Sequence, residues 1–190
     1  MVELWVVRHG QTDWNLKGWQ QGHHDIPLND VGIRQAIEVA DKLSGKVFDA
    51  IYSSDLVRAQ QTAEVLAATL NLTVQIDQRL REIHKGEWEG MTVPQIIRKY
   101  PRRVYDGLRD VITASAPGGE TVRQVAIRVI DLANILEQMH SRVLVVSHGI
   151  TLALLTCVAN KQPVKSFFSY VPENTEVRVI RWDGREITID

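Results

Sequence analysis

The chain has 190 residues, of which 44% are hydrophobic and 24% are charged, values typical of a soluble globular protein. The formal net charge is -1, so no overall field attracts nucleic acid, and any affinity for anions must come from a local cluster of cations. The single cysteine excludes an intramolecular disulfide and favours a reducing compartment. Neither a signal peptide nor a membrane-spanning stretch is visible, so we expect a cytoplasmic protein without a membrane partner.

The hydrophobic pattern predicts one α/β domain, because apolar runs of strand length alternate with helical periodicities. The runs that predict strands are residues 4–7, 48–52, 72–76 and 143–146. The periodicities that predict helices are residues 33–43, 56–70, 122–139 and 151–158. A weaker helical pattern between Thr92 and Tyr105 is interrupted by two prolines. Residues 176–182 and 186–189 predict a hairpin, because the Asp-Gly pair between them favours a tight turn.

Polar residues between these elements predict helix starts and loops. Residues 29–30 and 53–55 offer N-cap side chains for the first two helices. Residues 15–27 lack periodicity and contain glycine and proline, so they predict a loop that can fold over the end of the first strand. Residues 78–92 are rich in charge and glycine and predict a second loop.

Cationic side chains accompany the carboxyl ends of three predicted strands. The first strand runs into Arg8 and His9, and the second leads into a helix whose first turn carries Arg58. The fourth strand ends at His148-Gly149, where the next helix begins. Ligands of open α/β sheets bind at this edge, and helix N-termini favour anions. We therefore expect a compact anion pocket, with phosphate as its occupant because guanidinium groups match phosphate geometry.

Imidazole is the expected nucleophile of such a pocket, since the strand ends carry two histidines but no cysteine or lysine. One neutral ring nitrogen would attack phosphorus while the arginines and the second histidine hold the phosphoryl oxygens. The leaving alkoxide also needs a proton donor. Glu82 is the best-placed acid by sequence context, although Glu87 and Glu89 lie near it and a surface salt bridge is the alternative role for such a side chain.

Five short blocks follow one another along nearly the whole chain: Arg8-His9-Gly10, residues 53–59, residues 81–90, residues 117–121 and Ser147-His148-Gly149. In this order they resemble the histidine phosphatase superfamily, and most closely its phosphoglycerate mutase-like branch. The resemblance implies a three-layer α/β sandwich with a mostly parallel mixed sheet, in a single domain over residues 1–190. It also implies chemistry that needs no metal and no cofactor.

By the same resemblance, His9 is the residue that becomes phosphorylated and Glu82 is the proton donor. The residues implied to hold the substrate phosphate are Arg8, Asn15, Gln21, Gly22, Arg58, His148 and Gly149.

The segment after Glu82 departs from the mutases of this family, which carry a longer insertion that closes over phosphoglycerate. Here a short variable lid at about residues 84–116 takes its place, and Arg102-Arg103 match the mutases' basic pair only superficially. An open site admits water to a phosphohistidine. We therefore expect a phosphomonoesterase acting on a small phosphate ester such as a sugar phosphate, α-ribazole phosphate or phosphoserine. A phosphoglycerate mutase is the alternative, and a non-catalytic phospho-ligand-binding protein is the third hypothesis.

The remaining charged and aromatic residues have simpler interpretations. His23-His24 and His84 do not match the spacing of a closed metal-ligand set, so we expect exposed loop histidines. The basic residues within 98–109 predict a solvated face, or a contact with the leaving group, rather than a nucleic-acid surface. The tryptophans that could frame the mouth of the pocket are Trp14, Trp19 and Trp88.

Overall fold

A mixed sheet is the centre of the fold in the computed structural model, which describes residues 1–184. Within that range its five strands are β1 (Val2–Arg8), β2 (Ala50–Ser53), β3 (Val74–Ile76), β4 (Arg142–Ser147) and β5 (Val177–Trp182). Their order is β3-β2-β4-β1-β5, and only β5 is antiparallel to its neighbour. The four parallel strands therefore bring their carboxyl ends to one edge of the sheet.

The strand register brings the predicted site residues to the same level of that edge. Arg8, the last residue of β1, pairs with Ser147, the last residue of β4. Ser53 at the end of β2 pairs with Val146 on the other side of β4. The residues that follow β1 and β4, His9 and His148, therefore leave the sheet side by side.

Helices cover both faces of the sheet. In the described part of the chain they are α1 (Asp13–Lys17), α2 (Asp30–Leu43), α3 (Val57–Leu70), α4 (Val93–Lys99), α5 (Pro101–Arg109), α6 (Val122–Met139) and α7 (Gly149–Ala159). Alternate residues of β4 point to opposite faces: Leu144 and Val146 pack with α2 and α3, whereas Val143 and Val145 pack with α6 and α7. This burial on both faces explains the unbroken apolar run of a central parallel strand. The predicted three-layer α/β sandwich is confirmed.

One loop prediction and one helix prediction need correction. The segment 15–27 overlaps the short helix α1, which Thr12 begins with a capping box to Asn15. Between Thr92 and Tyr105 the prolines do not interrupt one helix but start two, α4 and α5, each with proline in its first two positions. Proline is tolerated there because the first N–H groups of a helix have no intrahelical acceptor.

The prediction that residues 53–55 cap α3 is wrong. The N-cap residue is Leu56, which has no side-chain oxygen to accept a hydrogen bond. Asp55 is held instead by Arg81, whose Nε lies 2.7 Å from Oδ1 of the carboxylate. Asp25, in the segment between α1 and α2, accepts the first N–H of α3 at 2.6 Å. A carboxylate distant in sequence therefore replaces the local cap.

The C-terminal part of the hairpin prediction lies outside the described residues. Residues 176–182 form a strand as expected, but β5 pairs with β1 and buries Trp182 completely. Residues 186–189 fall beyond residue 184, the last that the structure describes. No helix among the described residues is long and apolar enough to cross a membrane.

The turn after His9 depends on the close approach of Gly10 to α2. A Cβ atom at Gly10 would lie 2.5 Å from the carbonyl oxygen of Gly32. We expect Gly10→Ala to lower the free energy of unfolding by roughly 1–3 kcal/mol, because neither backbone segment can yield without loss of packing. Urea unfolding measures the change.

The matched control is Gly107→Ala within α5, where the added methyl would meet only Ala114 at 4.0 Å. That substitution should raise the free energy of unfolding by roughly 0.5–1 kcal/mol, because alanine is the better helix former. Equal effects of the two substitutions would contradict the tight packing assigned to Gly10.

Candidate active site

A cavity of about 180 Å³ opens at the carboxyl edge of the sheet. It is smaller than the roughly 300–1,000 Å³ pockets that hold drug-sized ligands, so the part of a ligand that enters it must be compact. The residues that line it are Arg8, His9, Asn15, Trp19, Gln20, Gln21, Gly22, Arg58, Glu82, Lys85, Gly149, Ile150 and Val171. All the predicted site residues except His148 therefore reach its surface.

His9 is buried and is oriented by its own turn. Its Nδ1 lies 2.7 Å from the carbonyl oxygen of Gly10, so Nδ1 donates to that oxygen and Nε2 keeps the lone pair. Burial, together with the positive charges of Arg58 and Arg8, holds the pKa of His9 well below its usual range. The imidazole is consequently neutral at physiological pH, as a nucleophile must be.

The two arginines have different anchors. Arg8 donates from Nη1 to the carbonyl of Pro172 at 2.7 Å. Arg58 is 1% exposed and donates to the carbonyls of Gly22 and His24, both at 2.8 Å. Burial lowers the pKa of Arg58 to about 10, so the group stays charged at neutral pH. Within the described chain the Nε atoms of both arginines are buried without an acceptor, which leaves donors for an anion.

His148 is buried beside the nucleophile. It is 0% exposed, and its ring centroid is 5.1 Å from that of His9. Burial first, and then the charge of Arg58, holds the pKa of His148 well below its usual range. Neither ring nitrogen has a partner among the residues that the structure describes. A buried N–H without an acceptor costs free energy that a bound oxyanion would recover.

Glu82 is held at the N-terminus of α7. Its carboxylate accepts the N–H groups of Ile150 at 3.2 Å and Thr151 at 3.3 Å. A Cβ atom at Gly149 would lie 3.6 Å from Oε2 of Glu82 and 3.7 Å from Cζ of Arg8. Gly149 therefore lies on the cavity wall next to both the carboxylate and the guanidinium.

Asn15 and Gln21 line the cavity as predicted and share one partner. The N–H of Thr12 donates to Oδ1 of Asn15 at 3.1 Å, and the hydroxyl of Thr12 donates to Oε1 of Gln21 at 3.0 Å. Because both amide oxygens are engaged, the amide N–H groups are the ones available to an anion. Gly22 contributes through its carbonyl, which holds Arg58.

Lys85 was not singled out from the sequence, yet it is half-buried and lines the cavity. The pattern gave no signal for it, because a lysine in a charged loop is usually solvated. Trp19 lines the cavity as the sequence suggested, and Trp14 packs edge-on against it with a centroid distance of 5.4 Å. Trp88 does not reach the cavity.

The histidine loop departs from expectation at one residue. His24 is exposed, but His23 has only 25% of its side chain exposed. Its Nε2 lies 2.8 Å from the carbonyl oxygen of Glu82, and its ring centroid lies 4.7 Å from that of His84 with the planes tilted by 34°. The described residues contain no cluster of three or more side chains suited to a metal ion.

The buried neutral histidines make stability depend on pH. In the unfolded chain a histidine binds a proton near pH 6.5, whereas the folded pKa values of His9 and His148 are depressed. The unfolded state therefore binds more protons below about pH 6.5, and the free energy of unfolding must fall as the pH falls. Two such groups give a slope of up to about 2.7 kcal/mol per pH unit.

Urea unfolding at pH 7.5, 6.5 and 5.5 measures this slope in a window above the unfolded carboxylate pKa values of about 4. His148→Asn should reduce the slope by up to about 1.4 kcal/mol per pH unit, which is the contribution of one proton. A free energy of unfolding that is flat across this range would show that the two imidazoles do not remain neutral in the fold.

Residues 4–190 match the family model described as the histidine phosphatase superfamily, branch 1. The chain belongs to this superfamily. It is 34% identical to phosphoserine phosphatase 1 of Hydrogenobacter thermophilus, over 100% of this chain and 90% of that protein.

Two further similar proteins carry the names of the two predicted activities, a mutase and a phosphatase. The chain is 36% identical to the probable phosphoglycerate mutase GpmB of Salmonella choleraesuis, over 82% of this chain and 73% of that protein. The crystal structure of the α-ribazole phosphatase from Shigella flexneri superimposes with a TM-score of 0.87 at 29% identity, over 96% of this chain and 91% of that chain. The prediction of a phosphatase of the histidine phosphatase superfamily is confirmed, and the mutase name fits the alternative.

Proposed function

We propose that this protein hydrolyses small phosphate monoesters through a phosphohistidine at His9, with Glu82 as general acid and base. The observation that carries the proposal is the single cavity shared by a neutral histidine, two arginines and a carboxylate. The nucleophile needs a free Nε2, which its bond to Gly10 leaves available. The unpartnered Nε atoms of Arg8 and Arg58 supply donors for the phosphoryl oxygens.

In the first step, Nε2 of His9 attacks phosphorus as the ester P–O bond breaks. Protonated Glu82 gives its proton to the departing alcohol oxygen, so the product leaves as a neutral alcohol. The arginines, the Gly149 N–H and the amides of Asn15 and Gln21 hold the phosphoryl group in line. An N–H of His148, which lacks a protein acceptor within the described chain, is a further donor to this group.

In the second step, water attacks the phosphohistidine. The Glu82 carboxylate takes one proton from that water, the new P–O bond forms, and the N–P bond breaks. His9 recovers its lone pair and inorganic phosphate leaves. The same carboxyl group thus acts first as acid and then as base, which returns the enzyme to its starting state.

Access of water favours hydrolysis over mutase activity. Lys85 is the only described residue of the proposed lid, at about residues 84–116, that lines the cavity. No residue of α4 or α5 is among the lining residues. The exposed pair Arg102-Arg103 does not line it either. An acceptor alcohol would have to outcompete water in such an open site.

Steady-state assays of p-nitrophenyl phosphate and of 3-phosphoglycerate test the proposal. We expect release of inorganic phosphate from both, at a rate that survives excess chelator. A rate abolished by chelator would contradict the metal-independent mechanism. Phosphoryl exchange between phosphoglycerate isomers that is stimulated by bisphosphoglycerate and faster than phosphate release would favour the mutase. Tight binding of esters without turnover would favour a binding protein.

The single-domain organisation and the cytoplasmic location stay predictions from the sequence.

A further inference from the structure

Lys85 is a cation of the cavity that the two-step reaction does not use. It is half-buried and lines the cavity beside Glu82. Within the described chain, its ammonium group forms neither a hydrogen bond nor an ion pair. Burial lowers the pKa of Lys85, as expected for an ammonium that has lost water without gaining a contact partner.

The backbone around Lys85 is fixed by neighbouring segments. His84 donates its N–H to Oε2 of Glu120 at 2.9 Å, and its carbonyl accepts the Glu120 N–H, also at 2.9 Å. The N–H of Lys85 donates to Oε1 of Glu89 at 3.0 Å. Gly86 has a φ of +49°, and a Cβ atom there would lie 2.1 Å from the carbonyl oxygen of Pro117. The backbone of Lys85 is therefore held in place before any ligand binds.

The nearby carboxylates are occupied by other donors. Glu82 accepts the N–H groups that begin α7, at 3.2 and 3.3 Å. Glu89 accepts the N–H of His23 at 2.8 Å and lies 2.6 Å from Nδ1 of His24. Both carboxylates attract Lys85 through space, but neither forms an ion pair with it. Its positive charge remains available to an anion in the cavity.

The position of Lys85 associates it with the leaving group. Arg8, Arg58 and the imidazoles surround the place of the phosphoryl group, whereas Lys85 follows Glu82 on the segment that protonates the departing oxygen. We propose that Lys85 binds a carboxylate carried by the alcohol part of the substrate, so that the enzyme prefers short phosphorylated carboxylic acids. This inference rests on the proposed phosphatase function.

A carboxylate suits the site better than a second phosphate for two reasons. The cavity of about 180 Å³ favours the smaller anion. A single ammonium balances the single charge of a carboxylate, whereas a second phosphate would bring a charge of about −1.5 to −2 at pH 7.

Kinetics on matched substrates tests the proposal, because 3-phosphoglycerate and glycerol 3-phosphate differ by a carboxylate in place of a hydroxymethyl group. We expect the wild-type enzyme to show a kcat/KM at least about tenfold higher for the acid, the advantage of one charge-assisted contact. Lys85→Met should bring the ratio close to one, mainly through a higher KM for the acid. Lys85→Arg, which keeps the charge, should retain most of the preference.

Lys17→Met is the control, because Lys17 is exposed and does not line the cavity. Its substrate ratio should equal that of the wild type. Equal losses on both substrates in Lys85→Met would place the lysine on the phosphoryl group and overturn the proposal, as would a wild-type ratio near one. Faster hydrolysis of propane-1,3-diol bisphosphate than of 3-phosphoglycerate would assign the site to a second phosphate instead.

The outcomes separate this inference from the function on which it rests. A wild-type protein that does not hydrolyse p-nitrophenyl phosphate would refute the phosphatase function and the role of Lys85 together. Normal hydrolysis of that ester with a substrate ratio unchanged by Lys85→Met would refute only the role of Lys85. Thermal unfolding of each variant identifies misfolding, and Lys85→Gln, which removes the charge but keeps a polar side chain, decides the question if Lys85→Met does not fold.

Discussion

Replacement of His9 by alanine should reduce kcat for phosphate ester hydrolysis by more than about 10⁴-fold, because the nucleophile of a covalent mechanism is lost. In the wild-type protein the bond from Nδ1 to Gly10 fixes the tautomer, and burial keeps Nε2 unprotonated. His9 is the only histidine among the described residues that line the cavity, so no other side chain there supplies a nucleophile with these two features. Phosphate release from p-nitrophenyl phosphate measures the loss.

The control for this variant is His140→Ala. His140 follows α6, and its Nε2 lies 3.3 Å from the hydroxyl of Tyr52, away from the cavity. The control should keep the wild-type kcat. Residual activity of His9→Ala within about tenfold of the wild type would exclude a phosphohistidine at this position.

Glu82→Gln has the second largest expected effect, and its size should depend on the leaving group. We expect kcat for an alkyl ester such as glycerol 3-phosphate to fall by about 10²–10⁴-fold, because an alkoxide cannot leave without a proton. The loss for p-nitrophenyl phosphate in the first step should be much smaller, since nitrophenolate is a stable anion. Pre-steady-state release of nitrophenol measures that step separately from turnover.

The second step of the same variant lacks its general base, so the phosphoenzyme should accumulate. Glu87→Gln is the matched control, because Glu87 is exposed and its carboxylate accepts a hydrogen bond from Tyr100 at 2.7 Å. It should turn over like the wild type. If Glu82→Gln lowers kcat equally for both esters and gives no burst of nitrophenol, Glu82 does not transfer a proton in this reaction.

The strand ends could be predicted from the sequence because local patterns determine them. An apolar run followed by Arg8 and His9 must leave the sheet at its carboxyl edge, and parallel pairing of β1 with β4 brings His148 to the same level. The long helix α6 was equally predictable, since its buried face repeats at helical spacing and Thr121 begins it with a capping box.

The errors arose where a long-range partner overrides the local signal. The predicted cap of α3 failed because Arg81 binds Asp55, while Asp25 accepts the first N–H of the helix. His23 was expected to be solvated, yet the carbonyl of Glu82 binds it. Lys85 was overlooked for the same reason, because its burial follows from contacts of its neighbours that no spacing rule encodes.

The transferred phosphoryl group should be found on His9. Brief incubation of Glu82→Gln with p-nitrophenyl phosphate, a neutral denaturing quench and mass spectrometry of the peptides would locate it. We predict the mass increment of one phosphoryl group on the peptide that contains His9, with fragmentation placing it on the imidazole. Phosphate on any other residue, or a burst of nitrophenol without a modified peptide, would contradict covalent catalysis by His9.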